Sequence, residues 1–205
     1  MINKNSFRNF KPAYNAGERM ALPADIYEAH IIKTKLEKVT GGAQALQIYV
    51  EIDKGEYAGF YRKQYDSQTG GQYSIKYKGI YRLLMPDGQD EQHDNWRQHQ
   101  LEGVIWALED GNPGYKWDWD ESKLVGLKVG LNVREREYYI NKKFGVTTEI
   151  GRLESVAMIN DSDESKHPKL MKKRELSEAD KKKMQADQNG TSSGYVEVDG
   201  EELPF

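Results

Sequence analysis

Tyrosines interleaved with lysines and arginines are the residues of this chain whose types and spacing suggest chemistry. Three segments carry them. The first holds Tyr61, Arg62, Lys63 and Tyr65; the second holds Tyr73, Lys76, Tyr77, Lys78, Tyr81 and Arg82; the third holds Lys128, Arg134, Arg136, Tyr138, Lys142 and Lys143. Tyr49 adds a ring on a stretch that alternates apolar and polar residues. Flat rings stack on bases with little regard to sequence, and neighbouring cations neutralise phosphates. Presented on one surface, these residue types suit single-stranded nucleic acid. Scattered over the surface they would mean only that tyrosines favour strands and that charges favour water.

Signatures of catalysis are thin. Gly41-Gly42 and Gly70-Gly71 read as hairpin turns and lack the strand-to-helix setting and the Lys-Ser/Thr of a phosphate loop. His30, His93, His99 and His167 are scattered, and the chain has no cysteine, so no thiolate site or disulfide exists. Asp118, Asp120 and Glu121 stand among tryptophans and are a poor candidate for a divalent ion. No catalytic group, metal or cofactor is expected.

The last residues suggest a different chemistry. Glu197, Asp199, Glu201 and Glu202 lead to Leu203, Pro204 and Phe205. A run of carboxylates can steer such a tip to a basic surface, and the apolar end can fill a small pocket. The alternative is an acidic, solubilising tail. The tip also explains the net charge of −3, which argues against nucleic acid at first sight. Removing those four from the 33 acids leaves 29 against 30 basic residues. Any nucleic-acid surface must then be a local patch.

The elements that must position these residues follow from periodicity. Residues 1–24 read as an extended lead-in. A β-rich stretch from Asp25 to Val39 ends at Thr40-Gly41-Gly42. Leu46, Ile48, Val50 and Ile52 then alternate with Gln47, Tyr49 and Glu51, which predicts a strand with Tyr49 facing outward. Residues 57–65 and 72–85 read as extended, joined by Thr69-Gly70-Gly71. Leu101, Val104, Ile105 and Leu108 predict a helix from Asp94 to Asp110, with Asp94 as its N-cap. The dense run from Asn112 to Glu121 reads as a loop that locks the helix end onto the body. Residues 127–139 alternate again, with Lys128, Asn132, Arg134, Arg136 and Tyr138 on the polar side and a bulge expected at Glu135 and Glu137. Asn141-Lys142-Lys143 makes a turn into a last strand over 144–160.

The expected fold is therefore mainly β: a five-stranded barrel of the OB-fold type with one helix between strands 3 and 4. Residues 25–161 form that domain. Residues 162–193 are rich in lysine, aspartate and serine and read as a disordered linker to the tip at 194–205. No stretch is apolar enough to span a membrane or to act as a secretory signal, so a cytoplasmic protein is expected.

Two resemblances bear on these expectations. The ending Glu201-Glu202-Leu203-Pro204-Phe205 resembles the carboxy-terminal tip of bacterial and phage single-stranded DNA-binding proteins, which recruits replication, recombination and repair enzymes. In the body, Tyr14-Asn-Ala-Gly-Glu18, Leu22-Pro23-Ala24, Glu56-Tyr-Ala-Gly-Phe-Tyr61, Tyr77-Lys-Gly-Ile-Tyr-Arg82 and the Asn112–Glu121 run resemble a family of phage and prophage proteins of low-GC Gram-positive bacteria. That family is taken to bind single-stranded DNA. The resemblance implies an OB-type domain and, for a phage-encoded chain, residence in the host cytoplasm. It implies single-stranded DNA as ligand and replication or recombination proteins as partners of Glu201, Glu202, Leu203, Pro204 and Phe205. A recombination accessory that anneals strands or loads a recombinase is the alternative. A nuclease using Asp118 and a scaffold that touches no nucleic acid are further ones. Whether copies of the chain associate is open from the sequence.

Overall fold

One long strand organises the sheet. The computed structural model of the chain describes residues 22–39, 42–68 and 76–191. Strand β1 (Asp25–Lys38) pairs along its first half with β4 (Lys128–Ile140) and along its second half with β2 (Gln44–Ile52). Strand β3 (Ile80–Leu84) pairs with β2, and β5 (Lys143–Glu154) pairs with β4. All pairings are antiparallel, and the order across the sheet is β3-β2-β1-β4-β5. The end strands β3 and β5 approach each other without a ladder between them. Helix α2 (Glu91–Gly111) lies between β3 and β4 in the chain and packs on β3, β4 and β5.

Alternation builds the core as the sequence predicts. Leu46, Ile48, Val50 and Ile52 of β2 are buried with Ile31, Val129, Leu131 and Val133, and α2 contributes Val104 and Leu108. The predicted helix exists, but Asp90 caps it by accepting the His93 N–H at 3.0 Å. Asp94, the predicted cap, accepts the Asp87 and Gly88 N–H groups instead and so ties the preceding loop to the helix.

Residues 57–65, expected to be extended, are the first clear correction. Helix α1 (Phe60–Gln68) occupies most of that stretch. Aromatic content favours a strand by propensity alone, but tertiary context overrides it here. Gly55 and Gly59 take φ of 78° and 70°, which turns the chain after β2. The Glu51 carboxylate then accepts the Tyr61 N–H at 3.0 Å and the Arg62 N–H at 2.7 Å, satisfying donors that a helix start leaves open.

The Asn112–Glu121 run does lock the helix end. The Asn112 side-chain amide donates to the carbonyls of Leu108 and Lys128, both at 2.8 Å, and its oxygen accepts the Lys128 N–H at 2.8 Å. Trp117 packs on the core, while Trp119 is 79% exposed with φ of 68°.

Residues 162–177, expected as disordered linker, form an ordered strap that follows the short helix α3 (Val156–Ile159) and leads to helix α4 (Glu178–Thr191). The Asn132 amide donates to the Lys169 carbonyl at 2.9 Å and its oxygen accepts the Met171 N–H at 3.1 Å. Further along, Arg174 exchanges backbone hydrogen bonds with Glu135 and Glu137 on the part of β4 that β1 does not reach. Leu176 is buried. Composition hid the strap because its attachment is mostly backbone hydrogen bonding to β4, which needs no apolar pattern. The bulge expected at Glu135 and Glu137 of β4 is instead on β5, where Gly151 is the extra residue between the pairs Asn132–Arg152 and Val133–Ile150, and Asn132 is fully buried beneath the strap.

Candidate nucleic-acid interface

Cross-strand partners share a sheet face, so the register defines the surface opposite the core. One row across β1, β2 and β3 reads Lys33, Tyr49, Ile80; the next reads Lys35, Gln47, Arg82. Lys128, His30 and Glu51 form a row nearer α1. The same side of β4 carries Asn132, Arg134 and Arg136, so the face runs across the whole sheet.

The two halves of that face differ. On the β4–β5 half, the Arg134 guanidinium donates to Glu149 at 2.9 Å and Arg136 lies 3.3 Å from the same carboxylate. Arg174 of the strap reaches that carboxylate too, at 3.4 Å. Met171 packs so closely on Gly151 that an added Cβ would fall 2.7 Å from its sulfur. Arg134 and Arg136, predicted to meet phosphates, therefore serve an ion cluster under the strap. Tyr138 lies against Gly145, and Lys142 and Lys143 stand at the β4–β5 turn, where Lys142 is 3.8 Å from Asp187 of α4. Arg134 and Arg136 of the third segment thus lie on a different half of the face from Arg82 of the second.

On the β1–β2–β3 half Lys33, Lys35 and Arg82 are exposed, while Gln47 between them is buried. Tyr49 is partly buried, its hydroxyl donates to Gln47 at 2.9 Å, and Gln47 in turn donates to Glu37. The Lys33 ammonium lies 5.5 Å from the centre of the Tyr49 ring. Tyr77 is the hub of the aromatic group: its ring centre is 6.1 Å from those of Tyr49, Tyr61 and Tyr65. The Tyr77 hydroxyl lies 2.8 Å from the Val50 carbonyl and 2.9 Å from the Glu51 carboxylate, so its proton has two acceptors. Burial, and then the hydrogen bond and charge of Glu51, push the Tyr77 phenol far above its ordinary pKa.

Tyr61 departs from its predicted role. It is 6% exposed, edge-on to Phe60, and its phenol is pushed up by burial and by Glu51. It supports the surface from beneath. Gly79 lies directly on it, and an added Cβ there would sit 2.6 Å from the Tyr61 ring and from the Val50 carbonyl. Tyr81 is likewise in the core.

Cations surround the β1–β2–β3 half. Lys76, Lys78 and Arg82 are exposed and hold no ion pair among the described residues. Arg62 pairs loosely with Asp66 at 3.4 Å, and Lys63 donates to the Ala58 carbonyl at 2.8 Å. Lys128 is exposed at the edge of the same face. Lys33 and Lys35 belong to this surface and were not singled out by sequence. The signal was present: Lys33, Lys35 and Glu37 alternate in β1, and the hairpin register sets them beside Tyr49 and Gln47. Tyr73 and the tip residues Glu201, Glu202, Leu203, Pro204 and Phe205 lie outside the described residues.

A groove of about 1100 Å³ runs between α2, β5 and the strap, lined in part by Trp106, Met158, Pro168 and Met171. Of its cations, Arg152 and Lys166 are engaged by Glu154 and Asp161, while Lys169 holds no ion pair among the described residues. No helix among the described residues is long and apolar enough to cross a membrane. Comparison with known protein families and with curated proteins gives no match.

Proposed function

We propose that this chain binds single-stranded DNA across the outer face of β1, β2 and β3. The observation that carries the reading is the Tyr49–Tyr77–Tyr65 group flanked by Lys33, Lys35, Arg82, Lys76 and Lys78. Rings at this spacing give bases a stacking surface, and the cations meet the phosphates between them. Lys33 is held to Tyr49 by a cation–π contact, so a base arriving on that ring frees the ammonium for a phosphate.

The strand order supports an OB-type barrel. Opened between β3 and β5, such a barrel has the order seen in this sheet, with its helix between the third and fourth strands. Tyr49 stands on β2, one of the strands whose face OB domains use for oligonucleotides, with Tyr65 on α1 and Tyr77 just before β3 beside it. In this reading the protein coats unwound DNA during phage replication or recombination in the host cytoplasm. The acidic tip then recruits partner enzymes through Phe205.

Titration of a labelled oligo-dT with the full chain tests the proposal. Binding should be salt-sensitive, and a duplex of equal length should bind far more weakly. Equal affinity for the duplex overturns it, and strand annealing beyond simple coating would favour the recombination-accessory role.

A further inference from the structure

The β4–β5 hairpin extends past the end of β1, and its outer strand is unusually bare. Along residues 143–149, Lys-Phe-Gly-Val-Thr-Thr-Glu, β5 pairs with β4 on one side and has no backbone partner on the other among the described residues. Phe144 is 53% and Val146 46% exposed. Edge strands of soluble proteins are usually blunted by inward charges, proline or a bulge. None of these devices lies between Lys143 and Glu149, and the β4–β5 register shift is at Asn132/Val133.

We infer that this edge pairs with the same edge of a second copy, antiparallel and centred on Val146. Three features select that partner. The first is charge. With the dyad at Val146, Lys143 of each copy stands opposite Glu149 of the other, a carboxylate that also holds Arg134, Arg136 and Arg174, so no like charges of the two segments are set against each other.

The second is side-chain placement. Phe144, Val146 and Thr148 share one face of β5, and the dyad sets Val146 against Val146 and Phe144 against Thr148. The exposed apolar side chains thereby form one continuous stripe across the junction.

The third is the backbone. The turn at Asn141 and Lys142, with φ of 52° and 59°, closes on the pair Ile140 and Lys143. A two-residue turn makes that closing pair the hydrogen-bonded one, so Lys143, Gly145 and Thr147 bond to β4. Phe144, Val146 and Thr148 turn their N–H and C=O groups outward, as the proposed register needs. The pairing leaves the β1–β2–β3 face of both copies open and does not depend on its function.

The chain has no cysteine, which makes a direct test available. Directly opposed residues of a hydrogen-bonded antiparallel pair sit about 5.5 Å apart at Cα, within reach of a disulfide. Full-length Val146→Cys treated with oxidised glutathione should become a covalent dimer, reversible by reductant. A Trp119→Cys variant, exposed but far from the edge, should not. In sedimentation, the wild type should show twice the chain mass, and Val146→Lys should shift to a monomer with an unchanged circular-dichroism spectrum and a melting temperature that no longer depends on protein concentration. A monomeric wild type overturns the inference. So does a dimer that Val146→Lys leaves intact, or a Val146→Cys chain that fails to cross-link.

Discussion

The Tyr77 hydroxyl lies 2.9 Å from the Glu51 carboxylate, and that same carboxylate accepts the backbone N–H groups of Tyr61 and Arg62. One side chain on β2 thus starts helix α1 and fixes the ring at the centre of the aromatic surface. Glu51→Ala leaves two helix-start donors without their acceptor and leaves the Tyr77 phenol only the Val50 carbonyl. The expected loss of stability is about 3 kcal/mol, measured by urea denaturation. Affinity for oligo-dT should fall as well, because Tyr77 loses one of the two acceptors that hold its ring in place.

The buried phenols make stability sensitive to alkali. Tyr61 and Tyr77 are raised above their ordinary values chiefly by burial, and Tyr27 is pushed up to about 12 by burial and Asp25. A raised pKa means that the folded state holds the proton more tightly than the unfolded state. The contribution is therefore complete below about pH 10 and is lost as pH rises beyond it. Ultraviolet titration should find these tyrosines un-ionised after the exposed ones have titrated, with unfolding following their ionisation. Ionisation of all tyrosines in one ordinary step contradicts this.

Salt dependence separates the two halves of the sheet face. Replacing Lys33 and Arg82 by glutamine should reduce the slope of log affinity against log salt by about 0.7 for each phosphate that is no longer neutralised. Arg134→Gln and Arg136→Gln should leave the slope unchanged, since both cations are held by Glu149. The opposite ranking would place the strand under the strap.

The strap belongs to the folded domain. Leu176→Ala should cost about 2–3 kcal/mol by removing a buried side chain. Ending the chain after residue 161 should destabilise it strongly by exposing Asn132 and the free edge of β4. Ending it after residue 191 should leave the melting temperature unchanged.

Periodicity made β2, β4 and α2 legible, because one buried face per element leaves a period of 2 or 3.6 in the sequence, while β1 and β5 were legible from strand-favouring residue types and the turns that bound them. Where tertiary hydrogen bonds decide, the pattern is silent. Helix α1 hides in Phe60-Tyr61-Arg62-Lys63 because its start is capped by Glu51, nine residues before its first residue. The strap hides in a polar run because it binds β4 through backbone groups. Among the site residues, Tyr49, Tyr65, Tyr77, Lys76, Lys78 and Arg82 were legible as types and are gathered by the fold. Arg134 and Arg136 looked equally suitable, and only Glu149, paired with Arg134 across β4–β5, reveals their structural role. Lys33 and Lys35 needed the β1–β2 register to be recognised.

The most direct measurement is the affinity for oligo-dT of the wild type and of a Tyr49→Ala, Tyr65→Ala double variant, with Trp119→Ala as control. Each stacking ring contributes about 1–3 kcal/mol. The double variant should therefore bind at least tenfold more weakly at unchanged fold, while Trp119→Ala binds like the wild type. Unchanged affinity in the double variant contradicts binding at the β1–β2–β3 face, and no affinity of the wild type for oligo-dT contradicts nucleic-acid binding altogether.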